Sequence, residues 1–301
     1  MFESHFGFGT RPFRPMPDTS LYYPATSHEL ALRRIAQALA DGEGFVLLTG
    51  EPGSGKTLLC LRLLQQLGES AATVFLTNSH LRQPAELLQA ILYDSNEPYR
   101  DRSEQELRLA VTDLFLSRFQ SGGTTVVVID EAQNLSQAVL EEIRLLGNLE
   151  GQRKAVQFVF AALPAMVTKL RRVELAALAQ RLAVRVQLEP LSRDEAVDYL
   201  RHQVQAVGGR ADRVFTGESL EILAEGTKGN PRLLNQAAAL ALEFACQAEA
   251  KQVDAEAAIE ALAALGLNDE VDDDPPIRVT PASDAGVDPP PPSNGDARKS
   301  A

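Results

Sequence analysis

The chain is poor in the residues that would tie it to an oxidising or membranous setting. It has two cysteines in 301 residues, Cys60 and Cys246, both inside apolar patterns of helical period. Such a pair gives neither a disulfide framework nor metal-ligand spacing, and a reducing, cytoplasmic compartment is expected. The four histidines, His5, His28, His80 and His202, are scattered without ligand spacing and are expected at surface or helix-capping positions. No apolar run approaches the roughly 18 residues that a membrane-spanning helix needs. The start, "MFESHFGFGT", lacks a cationic segment and an apolar core, so no signal peptide is expected.

Positive charge is also scarce. Lysine and arginine total 29 against 41 acids, a formal net charge of −12. That balance gives no support to a general affinity for nucleic acid, although it leaves a local basic patch open. Residues 268–301 hold eight acids, three bases and seven of the 17 prolines. A segment of that composition buries too little apolar surface to offset its ordering entropy, so a disordered tail is expected there.

What is present is a regular alternation. Short β-rich runs at 45–49, 73–77, 125–130, 156–162 and 183–188 are separated by amphipathic helical patterns at 28–40, 56–67, 84–93, 104–120, 137–149, 165–171 and 174–181. Most of the runs are continuously apolar, as strands covered on both faces must be, and the alternation argues for a parallel α/β sheet. After "EPLS" (189–192) the pattern changes to helices alone, at about 193–207, 217–225, 231–249 and 254–265. The expected organisation is an irregular N-terminal arm (1–26) lying on the core, an α/β core (27–190), a helical lid (191–267) and the acidic tail.

"GEPGSGKT" follows the first strand and runs into a helix. It fits the P-loop pattern GxxxxGK[ST] without deviation, over Gly50, Glu51, Pro52, Gly53, Ser54, Gly55, Lys56 and Thr57, with Leu58 beginning the helix body. The glycines let successive backbone N–H groups converge on one anion, and the helix N-terminus adds partial positive charge. Lys56 can reach the outer phosphates and the Thr57 hydroxyl can ligate Mg²⁺. "TVVVIDEAQ" then places Asp130 and Glu131 at the end of a buried strand. Asp130 is expected to hold the magnesium through its water shell, Glu131 to polarise the attacking water, and Gln133 to orient water or signal from the site. No guanine-reading NKxD pattern is present, so the expected nucleotide is ATP.

With these elements in hand the chain resembles the AAA+ ATPases. More closely it is similar to the ExeA/GspA accessory ATPases of type II secretion, whose relatives include transposition ATPases of the TniB and TnsC kind. The resemblance rests on "FGFGTRPF", "GFVLLTGEPGSGKT", "VVVIDEAQNLS", "LAQRLAVRVQLEPLSRDEAVDYL" and "GNPRLLNQAAALAL", and covers roughly residues 6–265. It implies a sheet sandwiched by helices, a helical lid, and a role for Arg232 of "GNPR" as the arginine that senses the γ-phosphate. It also implies that Arg181 is a finger reaching a neighbouring subunit, with Arg171, Arg172 and Arg185 as competitors. One departure stands out: Ala162, Leu163, Pro164 and Ala165 replace the family's usual Gly-Gln-Pro-Glu, removing the expected polar γ-phosphate sensor after the fourth strand.

Phe6, Phe8 and Phe13 are expected to pack the arm rather than stack on bases. Tyr22 and Tyr23 are candidates for the edge of an adenine pocket, with plain anchoring of the arm the blander expectation. The resulting expectation is Mg²⁺-dependent ATP hydrolysis by a self-associating cytoplasmic protein acting on an unidentified protein partner in secretion or envelope assembly. The alternatives are a DNA-associated ATPase of transposition type and an ATP-gated switch with little turnover.

Overall fold

Strands that are buried at every position are covered on both faces, and three strands of this protein are of that kind. The computed structural model describes residues 2–68, 71–77, 80–149 and 154–267. Strands β1 (Phe45–Thr49), β3 (Thr125–Ile129) and β4 (Val156–Ala162) are buried throughout, whereas β2 (Ala72–Leu76) and β5 (Leu182–Gln187) are partly exposed edges. All pairings are parallel and the order is β2-β3-β4-β1-β5.

The period-2 geometry of a strand sorts its side chains onto two faces. Phe45, Leu47, Val127, Ile129, Phe158 and Phe160 point to one face, under α4 (Pro84–Asp94), α5 (Glu104–Gln120) and α6 (Gln137–Leu146). Val46, Leu48, Val126, Val128, Val159 and Ala161 point to the other, under α2 (Thr26–Ala40) and α3 (Lys56–Leu67). The glutamate of Glu142 is buried under α5 and paired by Arg108 at 2.7 Å, so no isolated charge is left in that layer.

The helical part has its own core. Helices α9 (Arg193–Ala206), α10 (Ala211–Val214), α11 (Gly217–Gly226), α12 (Pro231–Gln247) and α13 (Ala255–Ala264) enclose Leu200, Phe215, Leu223, Leu234 and Leu242. Ser192 and Glu195 form a reciprocal capping box that starts α9, and Asn230 caps α12 ahead of Pro231 at its first turn. Most of the arm's buried residues belong to this core, while Tyr22 packs against the sheet-side cluster. The arm begins with a helical turn, α1 (Phe2–Phe6), and buries Phe2, Phe8, Phe13 and Leu21 among the lid residues. The buried phenylalanines of the arm find their apolar partners on the lid, and Gln203 Nε2 donates to the Leu21 carbonyl at 2.9 Å.

Several element ends differ from the sequence expectation. The segment expected as a helix over 174–181 is a 3₁₀ turn, Val173–Leu175, followed by one α-turn, α8 (Ala176–Ala179), which turns Leu175 and Leu178 inward. A short helix, α7 (Ala165–Leu170), precedes it. Helix α6 stops at Leu146 because Gly147 takes the cap, and α12 stops at Gln247, two residues before the left-handed Glu249. The expected disordered tail lies outside the described residues. Among the described residues, no helix is long and apolar enough to cross a membrane.

Candidate functional site

Strand β1 ends beside β4, which separates it from β3, so the crevice at the C-terminal ends of these strands receives the loops that follow β1 and β3. The P-loop continues the β1–β4 ladder for one residue, with Gly50 N–H donating to the Ala162 carbonyl at 3.3 Å, and then curls into α3. Lys56 is 5% exposed, and its Nζ donates to the carbonyls of Gly50 at 2.9 Å and Glu51 at 3.0 Å. Burial pushes the Lys56 ammonium below the usual lysine range, and the nearby carboxylates of Glu131 and Asp130 oppose that shift. The Ser54 hydroxyl is buried in the loop without a hydrogen-bond partner.

Thr57 Oγ1 donates to Asp130 Oδ2 at 2.5 Å, which brings a hydroxyl and a carboxylate together at the mouth of the loop. Two hard oxygen donors, with phosphates and water free to supply the rest, suit Mg²⁺. Among the described residues there is no cluster of three or more His, Cys, Asp or Glu side chains that would hold a metal unaided. Glu131 follows in a left-handed backbone conformation, φ 53°, which swings its side chain out of the strand direction and into the cavity lined by Lys56, Thr57 and Leu163. Gln133 Nε2 donates to Glu131 Oε2 at 2.6 Å.

The tip of α12 closes over the loop. Arg232 N–H donates to the Gly53 carbonyl at 3.3 Å and Asn230 Nδ2 donates to the Pro52 carbonyl at 2.9 Å. Gly53 sits at φ +82°, and a β-carbon there would fall 2.6 Å from Arg232 Cβ, so loop and lid are in backbone contact. Within the lid, Gly229, at φ +70°, lets the start of α12 approach Leu191, whose carbonyl a β-carbon would meet at 1.9 Å. The exposed Arg232 side chain lines the same cavity as Lys56 and Glu131.

This cavity, of about 800 Å³, is walled by the P-loop, the lid and the arm. Away from the phosphate end its lining includes Arg14, Pro17, Tyr199, Gln203, Asn235 and Leu240, an apolar slot with polar rims of the kind that holds a nucleoside. Tyr22 and Tyr23 do not line it. Tyr22 hydrogen-bonds Glu29 at 2.9 Å and Tyr23 packs edge-on to Tyr199, so the blander reading, anchoring of the arm, describes them.

The structure thus gathers Gly50 through Leu58, Asp130, Glu131 and Arg232 at one place, and leaves Arg181 elsewhere. The Arg181 guanidinium donates to the Asn148 side chain and to the Arg144 carbonyl at 3.4 Å, at the C-terminal end of α6, where a cation is favoured. Arg171 and Arg172 are exposed, and Arg185 donates to the Ala179 carbonyl at 3.1 Å.

One residue of the site was not legible. His28, expected at a surface or helix-capping position, is 6% exposed and donates from Nε2 to the Ser54 carbonyl at 2.8 Å, beneath the P-loop. Desolvation holds its pKa below the usual histidine value, which keeps the ring neutral. Nothing near His28 in sequence signals this contact, because 26 residues separate the partners. The Asn230 clasp, by contrast, is written in "GNPR": an Asn before Pro is a helix start, and only its second partner needed the structure.

Comparison with known proteins agrees with this geometry. Residues 39–170 match the AAA domain family. The general secretion pathway protein A of Aeromonas hydrophila is 36% identical over 273 residues, covering 90% of this chain and 50% of that protein. The chain therefore spans about half the length of this relative. Among solved structures, the Aeropyrum pernix ORC2 protein aligns over 79% of the chain and 66% of its own, with TM-score 0.63 and 16% identity. Cdc6p from Pyrobaculum aerophilum covers 78% and 68%, with TM-score 0.62 and 19% identity. At such identities the likeness concerns the fold alone. Taken with the P-loop, the acidic end of β3 and the helical lid, these matches show an AAA domain with the AAA+ P-loop fold, similar over 90% of the chain to the general secretion pathway protein A of Aeromonas hydrophila.

Proposed function

We propose that this chain binds ATP with Mg²⁺ and hydrolyses it, as a self-associating cytoplasmic ATPase that drives conformational work on a protein partner in secretion or envelope assembly. The observation that carries the chemistry is the 2.5 Å contact between Thr57 Oγ1 and Asp130 Oδ2, formed beside Lys56, Glu131 and Arg232 in one cavity. The pathway rests on the name of the Aeromonas relative and on no site residue.

In this reading the P-loop N–H groups and the α3 N-terminus cradle the phosphates, and Lys56 leaves its loop carbonyls to reach the outer ones. Thr57 and Asp130 would hold the magnesium, which supplies charge neutralisation on the phosphates when bound. Glu131 takes a proton from, or orients, the attacking water. Arg232 meets charge at the γ-phosphate, and because it sits at the tip of α12 that contact pulls the lid toward the loop. The missing polar group at Ala162–Ala165 sets this site apart from its family, and the net charge of −12 opposes the DNA-associated alternative.

The test uses the full chain and two variants. Lys56→Ala should weaken ATP binding by about 10²-fold or more, since it removes the cation facing the outer phosphates. Glu131→Gln should keep ATP affinity and lose phosphate release. Unchanged affinity in the first variant would remove the phosphate site from this loop. Normal turnover in the second would move the base elsewhere, and tight ATP binding without phosphate release in the wild-type chain would replace the enzyme with a switch.

A further inference from the structure

The stretch after β3 does not run directly into a helix. Glu131 turns left-handed, and a single 3₁₀ turn, Ala132–Asn134, follows. That turn brings the Gln133 side chain back alongside Glu131. The Gln133 amide is held at both ends: Nε2 donates to Glu131 Oε2 at 2.6 Å, and Oε1 accepts from the Leu163 N–H at 3.0 Å. These two partners fix the orientation of the amide. Flipped, it would face N–H with N–H at Leu163 and oxygen with carboxylate at Glu131.

The turn itself is pinned from beneath. Lys169, on α7, donates from Nζ to the carbonyls of Gln133, at 2.8 Å, and of Leu135. Leu163 is the residue that follows β4, and it lines the cavity together with Glu131. The end of β4 carries only Ala162, Leu163, Pro164 and Ala165, so its side chains offer no polar group to the nucleotide. Its backbone reaches the reacting region through Gln133 instead.

We propose that Gln133 is a positioning residue that holds the Glu131 carboxylate for attack on the γ-phosphate and ties it mechanically to the end of β4. The proposal rests on the ATPase reading for its consequence in turnover, and on the geometry alone for the linkage. A glutamate side chain has three rotatable bonds, and hydrolysis needs its carboxylate within a fraction of an ångström of one place. A charge-assisted hydrogen bond from an amide anchored at its other end restricts that freedom. A shift of the β4 end is then felt at Glu131 without any polar side chain on β4.

Gln133→Glu is the informative variant. It is nearly isosteric and keeps an oxygen for the Leu163 N–H, yet replaces the donor toward Glu131 with a like charge. Turnover should fall about 10- to 100-fold, with the affinity for a non-hydrolysable ATP analogue within about twofold of wild type and little change in Tm. Gln133→Ala should show the same split between turnover and affinity. A merely structural glutamine would move Tm and affinity together, and wild-type turnover in Gln133→Glu would overturn the proposal.

A second measurement does not depend on hydrolysis. Amide exchange at Leu163, followed by NMR on the full chain, should quicken by about fivefold in Glu131→Ala, because the far end of the bridge has lost its partner. Unchanged exchange there would overturn the linkage whether or not the wild-type chain turns ATP over. Failure of ATP binding or of phosphate release in the wild-type chain would count against the ATPase reading and leave this second test standing.

Discussion

The sheet and the arm–lid unit are built in different ways. In the sheet, each strand is recognisable by itself as a short apolar run, and the loops that form the phosphate site are contiguous pieces of chain. The arm–lid unit joins segments nearly the whole domain apart: Gly9 N–H donates to the Val207 carbonyl, His5 Nε2 to the Ala250 carbonyl, and Arg11 pairs with Glu243. Phe13 lies edge-on to Phe215 with ring centroids 6.2 Å apart. The lesson is that the P-loop end of the cavity is a local structure, whereas its opposite end exists only when arm and lid have packed together. The two halves meet at a seam where Glu195 accepts from the Thr26 N–H and where the Asn230 side chain and the Arg232 N–H donate to the carbonyls of Pro52 and Gly53.

The largest expected effect tests whether the sheet half is complete within one subunit. If Arg181 acts in trans, Arg181→Ala should bind ATP normally and lose roughly 10³-fold in turnover, and turnover per subunit in the wild type should rise with protein concentration. Mixing Arg181→Ala with Lys56→Ala should then restore part of the activity, through interfaces that join an intact loop to an intact finger. The competing role is visible in the structure, where the same guanidinium caps α6 through Arg144 and Asn148. A lowered Tm with normal turnover would leave Arg181 as that cap only.

The next effect separates the halves. Phe13 is 2% exposed in the arm–lid core, and Phe13→Ala should cost about 3–5 kcal/mol in that unit. Because Phe13 also lines the cavity far from the phosphates, ATP affinity should weaken several-fold while the sheet still melts cooperatively. Calorimetry with one unchanged transition and unchanged affinity would show that the arm is dispensable.

The smallest effect concerns the seam. Burial pulls the Glu195 carboxyl upward, but hydrogen bonds from Thr26 and Ser192 outweigh it and hold the pKa at about 2, against 4.5 for the ordinary group. A depressed folded pKa contributes stability that is present above about 4.5 and lost as the pH falls toward 2. Glu195→Gln should therefore cost about 1 kcal/mol or less at neutral pH and nothing below pH 2, read from urea melts across that range. A cost that is the same at every pH would assign the effect to packing.

Legibility followed locality. The P-loop pattern was readable because strand end, glycine-rich turn and helix N-terminus are consecutive in the chain, and Asp130 and Glu131 because they end a buried strand. The strand runs were readable to within a residue, since three are buried throughout and the two partly exposed edges still carry β-branched and apolar residues. The helix expected over 174–181 was not, because its alanines and leucines suit either one helix or two short turns, and burial of Leu175 and Leu178 chose the turns. His28 was misjudged because a histidine two residues inside a helix shows nothing in sequence of what its helix packs against. Gln133 carries in sequence the expectation of orienting water or signalling from the site, and its anchorage to Leu163, 30 residues away, is visible only in the structure.

By itself the sequence determined the elements, the P-loop pattern and the place of the two acids after β3, because these depend on residue types in a continuous run. Only the tertiary structure decided that the arm joins the lid, that Arg232 and Asn230 touch the loop while Arg181 does not, and that His28 and Gln133 brace the site. Those contacts close long loops, and their energies depend on which apolar faces meet and which buried polar groups are left to pair, quantities that no stretch of the chain carries on its own.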